Sequence, residues 1–470
     1  MAQASGSDRV GMPLRAVIMG NAEGVRTAHA LARTWSGIEV IGAAMIGAGE
    51  TDLPIVARAP VWQALSVAAI DAQALILAEP PKDGATARAI LERAAHARMK
   101  LMLIEDGAPR RVRLNDLLGR PLNAVDWARI QSLIEGKRVL ITGGGGSIGA
   151  ELARRIASLS PARLTLLDSS EFNLYRIGLD LRDATLALAD IRDAVSMQRW
   201  FAAERPEIVF HAAALKQVPL VEAFPCEGVQ TNVSGLRHVA EAAHAVGADL
   251  IFVSTDKAVE PSGVMGASKR LGEIYCQALD RRGERRAIPV RLGNVLGSTG
   301  SVSPIFEAQL AAGGPLTVTD ADVTRFFLTI PQAADALLQA ATVGLRHAEQ
   351  RGAAFVIEMG EALSVVELAR EVIRLEGLRP DEDIGITFTG LRPGEKLHEL
   401  LVARDEWREP ELMPGVITVG SSPRGLAEVL EIMERLTLLA RQGAADDVRA
   451  ELFAAVSTID EQAESLQARN

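Results

Sequence analysis

Short apolar runs alternate along the chain with longer stretches in which apolar residues recur at helical spacing. Two of the runs lead straight into glycine turns: Arg15-Ala-Val-Ile-Met-Gly20-Asn-Ala-Glu-Gly24 and Lys137-Arg-Val-Leu-Ile-Thr-Gly143-Gly-Gly-Gly146-Ser-Ile-Gly149. After the first, apolar bursts at 39–46, 74–78 and 100–104 are separated by Ala-rich helical stretches. This rhythm predicts a small parallel α/β domain over 13–122, behind a tail at 1–12. A connection rich in turn residues and helix, from Arg120-Pro-Leu-Asn to Leu133-Ile-Glu-Gly136, leads into a second domain over 123–470.

In the second domain, strands are predicted at 138–142, 163–168, 208–211, 249–254 and 288–292, with helical patterns between them, including 151–157 and 233–245. Short apolar runs bounded by glycine and proline suit strands buried on both faces of a parallel sheet, here over 136–292. Beyond 292 glycine and proline become denser, and short strands and helices mix. That suits a small C-terminal substrate-binding lobe, mostly 293–470, over the carboxyl ends of the strands, where ligands of open α/β sheets bind. No repeat of solenoid period is visible.

Composition narrows the function classes. The chain has 470 residues, 48% of them hydrophobic, and a net charge of −10, which argues against a nucleic-acid partner needing a basic face. Two cysteines, Cys226 and Cys276, without CxxC spacing, speak against disulfides and thiolate metal sites and fit a reducing cytosol. The seven histidines are scattered, and His238 and His244 are not at a spacing that pairs on a helix, so no metal is expected. The best candidate for a membrane helix, 61–78, is broken by Gln63, Asp71 and Gln73, and no signal-peptide pattern opens the chain.

Gly143, Gly146 and Gly149 form GxxGxxG between a predicted strand and a predicted helix. A dinucleotide needs such a turn for tightness, for close approach of backbone to pyrophosphate, and for helix–strand packing; the helix N-terminus then offers free N–H groups to phosphate. Asp168 ends the next strand, 19 residues past Gly149, where a carboxylate accepts ribose hydroxyls and repels a 2′-phosphate. NAD is therefore favoured over NADP. Asp190-Ile191 follows a third apolar stretch and could flank the adenine or be a surface turn. Gly20-x-x-x-Gly24 is a poorer pattern with no acidic residue closing its second strand, so the first domain reads as a Rossmann-like module whose ligand the sequence leaves open, with loss of nucleotide binding one reading. The expected fold class is α/β: a Rossmann-like parallel sheet with a small C-terminal lobe, preceded by a second small Rossmann-like domain.

Ser254-Thr255-Asp256-Lys257 stands at a strand end, and ten residues after Thr255 comes Met265-Gly-Ala-Ser-Lys269. The i, i+4 spacing of Met265 and Lys269 places both on one helix face. Here the chain resembles the extended short-chain dehydrogenase/reductases, which carry a Tyr-x-x-x-Lys pair at this place, but it has Met for the Tyr. That difference, with Ser-Thr-Asp-Lys, is similar to the retaining branch of the UDP-N-acetylglucosamine 4,6-dehydratases of bacterial surface-polysaccharide and glycoprotein-glycan synthesis. The resemblance spans 116–401 and includes Asp116-Leu-Leu-Gly-Arg120, Asp190-Ile-Arg-Asp193, His211-Ala-Ala-Ala-Leu-Lys216, Thr231-Asn-Val233, Arg291-Leu-Gly-Asn-Val-Leu-Gly297, Thr324-Arg-Phe-Phe327 and Gly390-Leu-Arg-Pro-Gly-Glu-Lys396. Gln217 stands where the family usually has His, and Ser303 where an apolar residue is usual. Members of this length class usually carry membrane helices ahead of the first domain. This chain begins almost where those would end, so it is expected to be cytoplasmic, or at the cytoplasmic face of the inner membrane if an anchor was removed.

The resemblance implies loss of water across carbons 5 and 6 of a UDP-N-acetylhexosamine, giving a 4-keto-6-deoxy sugar with carbon 5 retained. NAD takes hydride from carbon 4 and returns it to carbon 6. Asp256 would be the acid for the carbon 6 hydroxyl, Lys257 the base at carbon 5, and Thr255 the partner of the carbon 4 oxygen. Lys269 would hold the nicotinamide ribose. Met265 takes no proton, so the carbon 4 hydroxyl needs another acceptor, for which Asp256 is the candidate. Ser147, Ile148, Ala212 and Ala213 would line the cofactor. Lys216, Asn294, Arg325 and Arg392 would meet the substrate, the two arginines as diphosphate clamps, and Glu395 would hold ribose or a neighbouring Arg. A homo-oligomer is expected. Three alternatives stay open: an inverting dehydratase, a 4-epimerase, and a non-catalytic NAD-binding scaffold.

Overall fold

The computed structural model describes residues 12–58, 71–81, 84–117 and 125–467. The expected tail as far as residue 11, the stretch 61–70 and the connection 118–124 lie outside the described residues. The chain divides into two compact units, Met1–Pro121 with Ile305–Val318 and Val365–Thr389, and Leu122–Pro304 with Thr319–Ser364 and Gly390–Asn470.

The first unit carries β1 (Leu14–Gly20), β2 (Ile38–Met45), β3 (Ile55–Arg58), β4 (Ala74–Leu77), β5 (Lys100–Glu105) and β6 (Ala108–Arg111), in the order β3-β2-β1-β4-β5-β6. All neighbours are parallel except β5 and β6. The central strands are apolar and buried from Ala16 in β1 and throughout β4, because helices need apolar surface to lie against. At the turn after β1, Asn21 caps the helix Ala22–Ala32 by accepting the Gly24 N–H at 2.7 Å, and its amide donates to Glu79 Oε1 at 2.9 Å. A carboxylate therefore stands at the helix head where a nucleotide phosphate would need to sit.

The reading from sequence places 305–318 and 365–389 in the substrate lobe, whereas both segments pack within the first unit. The reason lies in the helix Val365–Leu375, whose buried face is Val365, Val366, Leu368, Ala369, Val372 and Ile373. It meets the helix Gly84–His96, and Arg88 Nε donates to Glu371 Oε1 at 2.7 Å. Arg98–Asp383 and Arg111–Glu376 add further pairs.

The second unit carries β7 (Arg138–Thr142), β8 (Arg163–Asp168), β9 (Thr185–Leu188), β10 (Ile208–His211), β11 (Asp249–Thr255) and β12 (Ala287–Leu292). They lie parallel in the order β9-β8-β7-β10-β11-β12, and the strand Ala354–Ile357 continues the sheet in parallel. Val416–Gly420 and Trp407–Arg408 close it antiparallel. Alternate residues point to opposite faces, so Val139 and Ile141 join one core and Leu140 the other. Strand order reverses between β7 and β10, and the cleft opens there.

The chain after 401 is not all lobe. The helices Leu426–Arg441 and Ala445–Gln467 pack on the helix Val264–Arg281, because apolar faces such as Val429, Met433 and Leu436, and Val448 and Leu452, need that cover. As a result, almost every residue of Val264–Arg281 is buried.

Candidate active site

The glycine turn after β7 is built as a close-approach device. Gly143 has φ +68°, and a Cβ there would stand 2.7 Å from the Ala213 N. A Cβ on Gly149 would stand 2.1 Å from the Gly143 carbonyl oxygen, so the helix Ser147–Ala157 can cross the strand only at glycine. Gly146 is the N-cap of that helix, leaving the first-turn N–H groups free of helical partners. A cleft of about 740 Å³ runs from this turn past Asp168 to Asp190 and on to Ala212, Ala213 and Lys216; Ser147, Ile148 and Ile191 line it too.

Each carboxylate in the cleft is already oriented. Asp168 accepts N–H groups from Gly145 at 3.0 Å and Ser170 at 2.9 Å, which fixes it at the tip of β8. Asp190 pairs with Arg192 at 2.6 Å. Burial works to raise the Asp190 carboxyl, but the Arg192 hydrogen bonds prevail and hold it below the usual range. Ile191 is buried and packs over Gly235.

A second pocket of about 220 Å³ adjoins the first and shares Ile148, Ala212, Lys216 and Gln217 with it. Thr255, Lys257, Met265, Lys269 and Asn294 line it. The chain turns at the end of β11 into a short helical turn, Asp256–Ala258, which carries two successive side chains to one place. Lys257 Nζ donates to Asp256 Oδ1 at 2.9 Å and to Asn294 Oδ1 at 2.7 Å, and the Thr255 hydroxyl donates to Asp256 Oδ1 at 2.9 Å. Asp256 has no exposed surface, so Thr255 and Lys257, which form the wall, are its links to the pocket.

Lys269 lies one helical turn beyond Met265. Its ammonium donates to the Val253 carbonyl at 3.0 Å and sits 4.5 Å over the Phe252 ring. Burial pushes it down to about 8. Burial, with help from Lys269, also holds His211 down to about 3, so His211 is a neutral partner for Thr142. The lowered Lys269 value has a sign for stability. The cost of burying its charge is fully present below about 8 and is relieved as pH rises from there toward the ordinary 10.5. A Lys269→Met variant is expected to lose this rise in stability on the alkaline side, which chemical denaturation at a series of pH values checks.

The remaining sequence candidates are placed differently. Asn294 binds Lys257 rather than pointing away as a free phosphate ligand. Arg325 is offered by the sequence as a diphosphate clamp, yet it is buried, and its guanidinium donates to the carbonyls of Thr324, Lys396 and Leu397 at 2.7, 2.8 and 3.0 Å. Arg392 pairs with Glu395 at 3.2 Å, so Glu395 holds an arginine; neither residue lines the two pockets. Lys216 donates to Ser298 Oγ at 3.2 Å, and burial lowers it. Gln217, the departure from the family pattern, donates to the carbonyls of Thr299 and Gly300 at 3.4 Å, while Ser147 Oγ accepts the Thr299 N–H at 3.1 Å. The 299–300 segment is thereby tied to the glycine turn. Ser303 is buried, and its hydroxyl has no hydrogen-bond partner among the described residues.

The roles of three further groups are not readable from the motifs, although Asn232 and Arg291 lie within two of them. Glu399 lies 3.8 Å from Lys257 Nζ. Asn232 braces the cleft wall by bonding both the N–H and the carbonyl of Leu215 at 2.9 Å. Behind the pocket, Arg291 donates to Glu273 and to Glu406 at 2.6 Å each, and Arg270 donates to Glu406 at 2.6 Å; Arg270, Glu273 and Arg291 are buried, and the Glu406 side chain is covered.

Sheet order, glycine turn and lysine-lined pocket define an α/β protein with a Rossmann-like core, of the kind seen in short-chain dehydrogenase/reductases. The chain belongs to the polysaccharide biosynthesis protein family, whose model matches residues 139–420. It is 39% identical to the probable polysaccharide biosynthesis protein EpsC of Bacillus subtilis (strain 168), over 76% of this chain and 59% of that one. It is 34% identical to the UDP-glucose 4-epimerase of Rickettsia felis, over 62% of this chain and 84% of that one. Among solved structures, Pen from Bacillus thuringiensis matches with a TM-score of 0.55 at 30% identity, covering 61% of this chain and 87% of that one. Among the described residues, no helix is long and apolar enough to cross a membrane.

Proposed function

We propose that the chain is an NAD-dependent 4,6-dehydratase of a UDP-N-acetylhexosamine, with UDP-N-acetylglucosamine as the favoured substrate and carbon 5 retained, serving surface-glycan synthesis. The observation that carries the reading is the Thr255–Asp256–Lys257 cluster at the strand end, opening into a pocket continuous with the glycine-turn cleft. The cleft suits NAD: the Gly143–Gly149 turn would hold its pyrophosphate and Asp168 would accept its ribose hydroxyls. When bound, it supplies the oxidation at carbon 4 and the matching reduction at carbon 6.

The protein's part is proton transfer and position. Thr255 binds the carbon 4 oxygen and passes its proton to Asp256 along the 2.9 Å hydrogen bond. Oxidation at carbon 4 makes the carbon 5 proton acidic, and Lys257 removes it. Asp256, which is fully buried, gives its proton to the leaving carbon 6 hydroxyl by way of the Thr255 hydroxyl at the pocket wall. Lys257 then returns a proton to carbon 5 from the same side, which is retention. Met265 fills the place of a competing proton carrier with an apolar side chain, 4% exposed. A 4-epimerase has no use for a base at carbon 5, and a scaffold has no use for a lysine poised between Asp256 and Asn294.

The reading is tested by incubating the protein with NAD and UDP-N-acetylglucosamine and following the sugar. A new carbon 6 methyl group supports it; an unchanged sugar, or a galacto epimer, rejects it. Asp168→Ala is expected to weaken NAD binding by about tenfold, the worth of one to two charge-assisted hydrogen bonds, while NADP binding changes less. Titration with both cofactors measures the ratio.

A further inference from the structure

We propose that Glu399 takes up the ammonium proton of Lys257, and so sets the lysine free to act as a base; this rests on the dehydratase reading above. Glu399 acts through Lys257 and is a positioning residue rather than a group that meets the sugar.

Three observations converge on it. Its side chain is 2% exposed, yet Oε1 lies 3.8 Å from Lys257 Nζ. Oε2 has no hydrogen-bond partner among the described residues; the Lys396 ammonium stands 3.6 Å from it, beyond hydrogen-bond distance. The segment that carries it is pinned: Arg325 bonds the Lys396 and Leu397 carbonyls, and the Thr324 N–H donates to the Leu397 carbonyl at 3.0 Å. Arg325 is thus the strut that holds Glu399 beside the lysine.

Proton balance gives Glu399 its task. At rest Lys257 donates to two acceptors, Asp256 and Asn294, and is an ammonium. Before carbon 5 can be deprotonated, two protons need a place: the carbon 4 hydroxyl proton and one from the ammonium. Asp256 takes the first through Thr255 and cannot take the second as well. Among the described residues, two carboxylates stand within 4.0 Å of Lys257 Nζ, and Glu399 is the other. Neutralising Asp256 also removes the nearest counter-charge of Lys257, which disfavours the ammonium at the moment a base is needed.

In sequence, an N–H bond of Lys257 breaks and an O–H bond forms on Glu399. The lysine lone pair then takes the carbon 5 proton, and the carbon–hydrogen electrons move toward the carbon 4 oxygen. After the leaving hydroxyl departs as water with the Asp256 proton, the reduced cofactor would supply the hydride that carbon 6 needs, and Lys257 returns a proton to carbon 5 and recovers the one on Glu399. The N–H protons of Lys257 exchange with solvent, so deuterated water labels carbon 5. The charged groups facing this exchange are Asp256 on the turn, Arg325 at 4.0 Å and Lys396 at 3.6 Å from Glu399; Lys216 and Lys269 line the adjoining pocket.

The test uses the full chain with NAD and UDP-N-acetylglucosamine in deuterated water, comparing wild type, Glu399→Gln and Glu399→Asp across pH. Carbon 5 exchange is read by NMR, carbon 4 oxidation by the near-ultraviolet absorbance of reduced nicotinamide in a single turnover, and folding by thermal melting. Glu399→Gln is expected to keep the absorbance signal but lose carbon 5 exchange on the order of a hundredfold near neutral pH. The loss should shrink as pH rises and hydroxide strips Lys257 instead, and Glu399→Asp should restore part of the rate. Wild-type exchange in Glu399→Gln at every pH overturns the proposal. So does a loss of absorbance and exchange together with no recovery at high pH, which marks a purely structural role. A wild type that neither oxidises carbon 4 nor exchanges carbon 5 overturns the dehydratase reading itself, and the proposal with it.

Discussion

Replacing Lys257 by arginine is expected to abolish exchange of the carbon 5 proton, by a factor on the order of a thousand, while leaving NAD binding and folding close to wild type. Arginine keeps a cation beside the buried Asp256 carboxylate, and so keeps the ion pair that Lys257 makes at 2.9 Å. It cannot serve as a base because a guanidinium does not give up its proton in proteins. Lys257→Ala removes the base as well, but it also strands Asp256, which has no exposed surface, so that variant should lose stability in addition to activity. The two variants together separate the chemistry from the fold. Carbon 5 exchange followed by NMR, beside a thermal melt of each variant, makes the measurement.

The second large effect concerns the charges behind the pocket. Arg291 has no exposed surface and holds both Glu273 and Glu406. Burial works to raise Glu406, but the Arg291 hydrogen bonds and the charges of Arg270 and Arg291 bring it down to about 2. Stability from this lowering is fully present above the ordinary carboxyl value of 4.5 and is lost as pH falls toward 2. Arg291→Met leaves two buried carboxylates short of a cation and is expected to cost about 3–5 kcal/mol at neutral pH. For a unit of this size that is a melting temperature lower by roughly 10 °C. The deficit should narrow as pH falls toward 4, since carboxylates without Arg291 protonate more readily. Melting curves at pH 7 and pH 4 check both statements. A loss equal at the two values would mean that packing, not charge, is what Arg291 contributes.

The strands of the cofactor half can be read from the chain because each is a short apolar run with its own turn signal. Predicted strands at 138–142, 163–168 and 208–211 coincide with β7, β8 and β10, and β11 and β12 differ by one residue at one end. The helix after the glycine turn begins at Ser147, four residues before the predicted 151, because Gly149 is a poor helix former that packing against Gly143 requires. The final helices carry ordinary amphipathic patterns that do not say which surface they will cover. Placement of 365–389 depends on partners such as Arg88 and Arg98, nearly three hundred residues away in sequence.

The site divides in the same way. Lys257, Thr255 and Lys269 are legible as one motif at the end of one strand and the start of one helix. Glu399 and Glu406 are not, nor is the role of Arg291 within its motif, because what gives them meaning is spatial: a carboxylate 3.8 Å from a lysine 142 positions earlier looks, in the chain, like any acidic residue. Arg325 shows that a motif does not say what an arginine binds. An arginine in a family motif suggests a phosphate clamp, and only its three bonds to backbone carbonyls reveal a strut.

The central claim is that this chain removes water from a UDP-N-acetylhexosamine and retains carbon 5. One measurement tests it most directly: proton NMR of the product formed from UDP-N-acetylglucosamine and NAD in deuterated water. The account predicts a 4-keto-6-deoxy sugar with a carbon 6 methyl group, deuterium at carbon 5 and the gluco configuration kept there. A product inverted at carbon 5, or a sugar epimerised at carbon 4 with its carbon 6 hydroxyl intact, would contradict it.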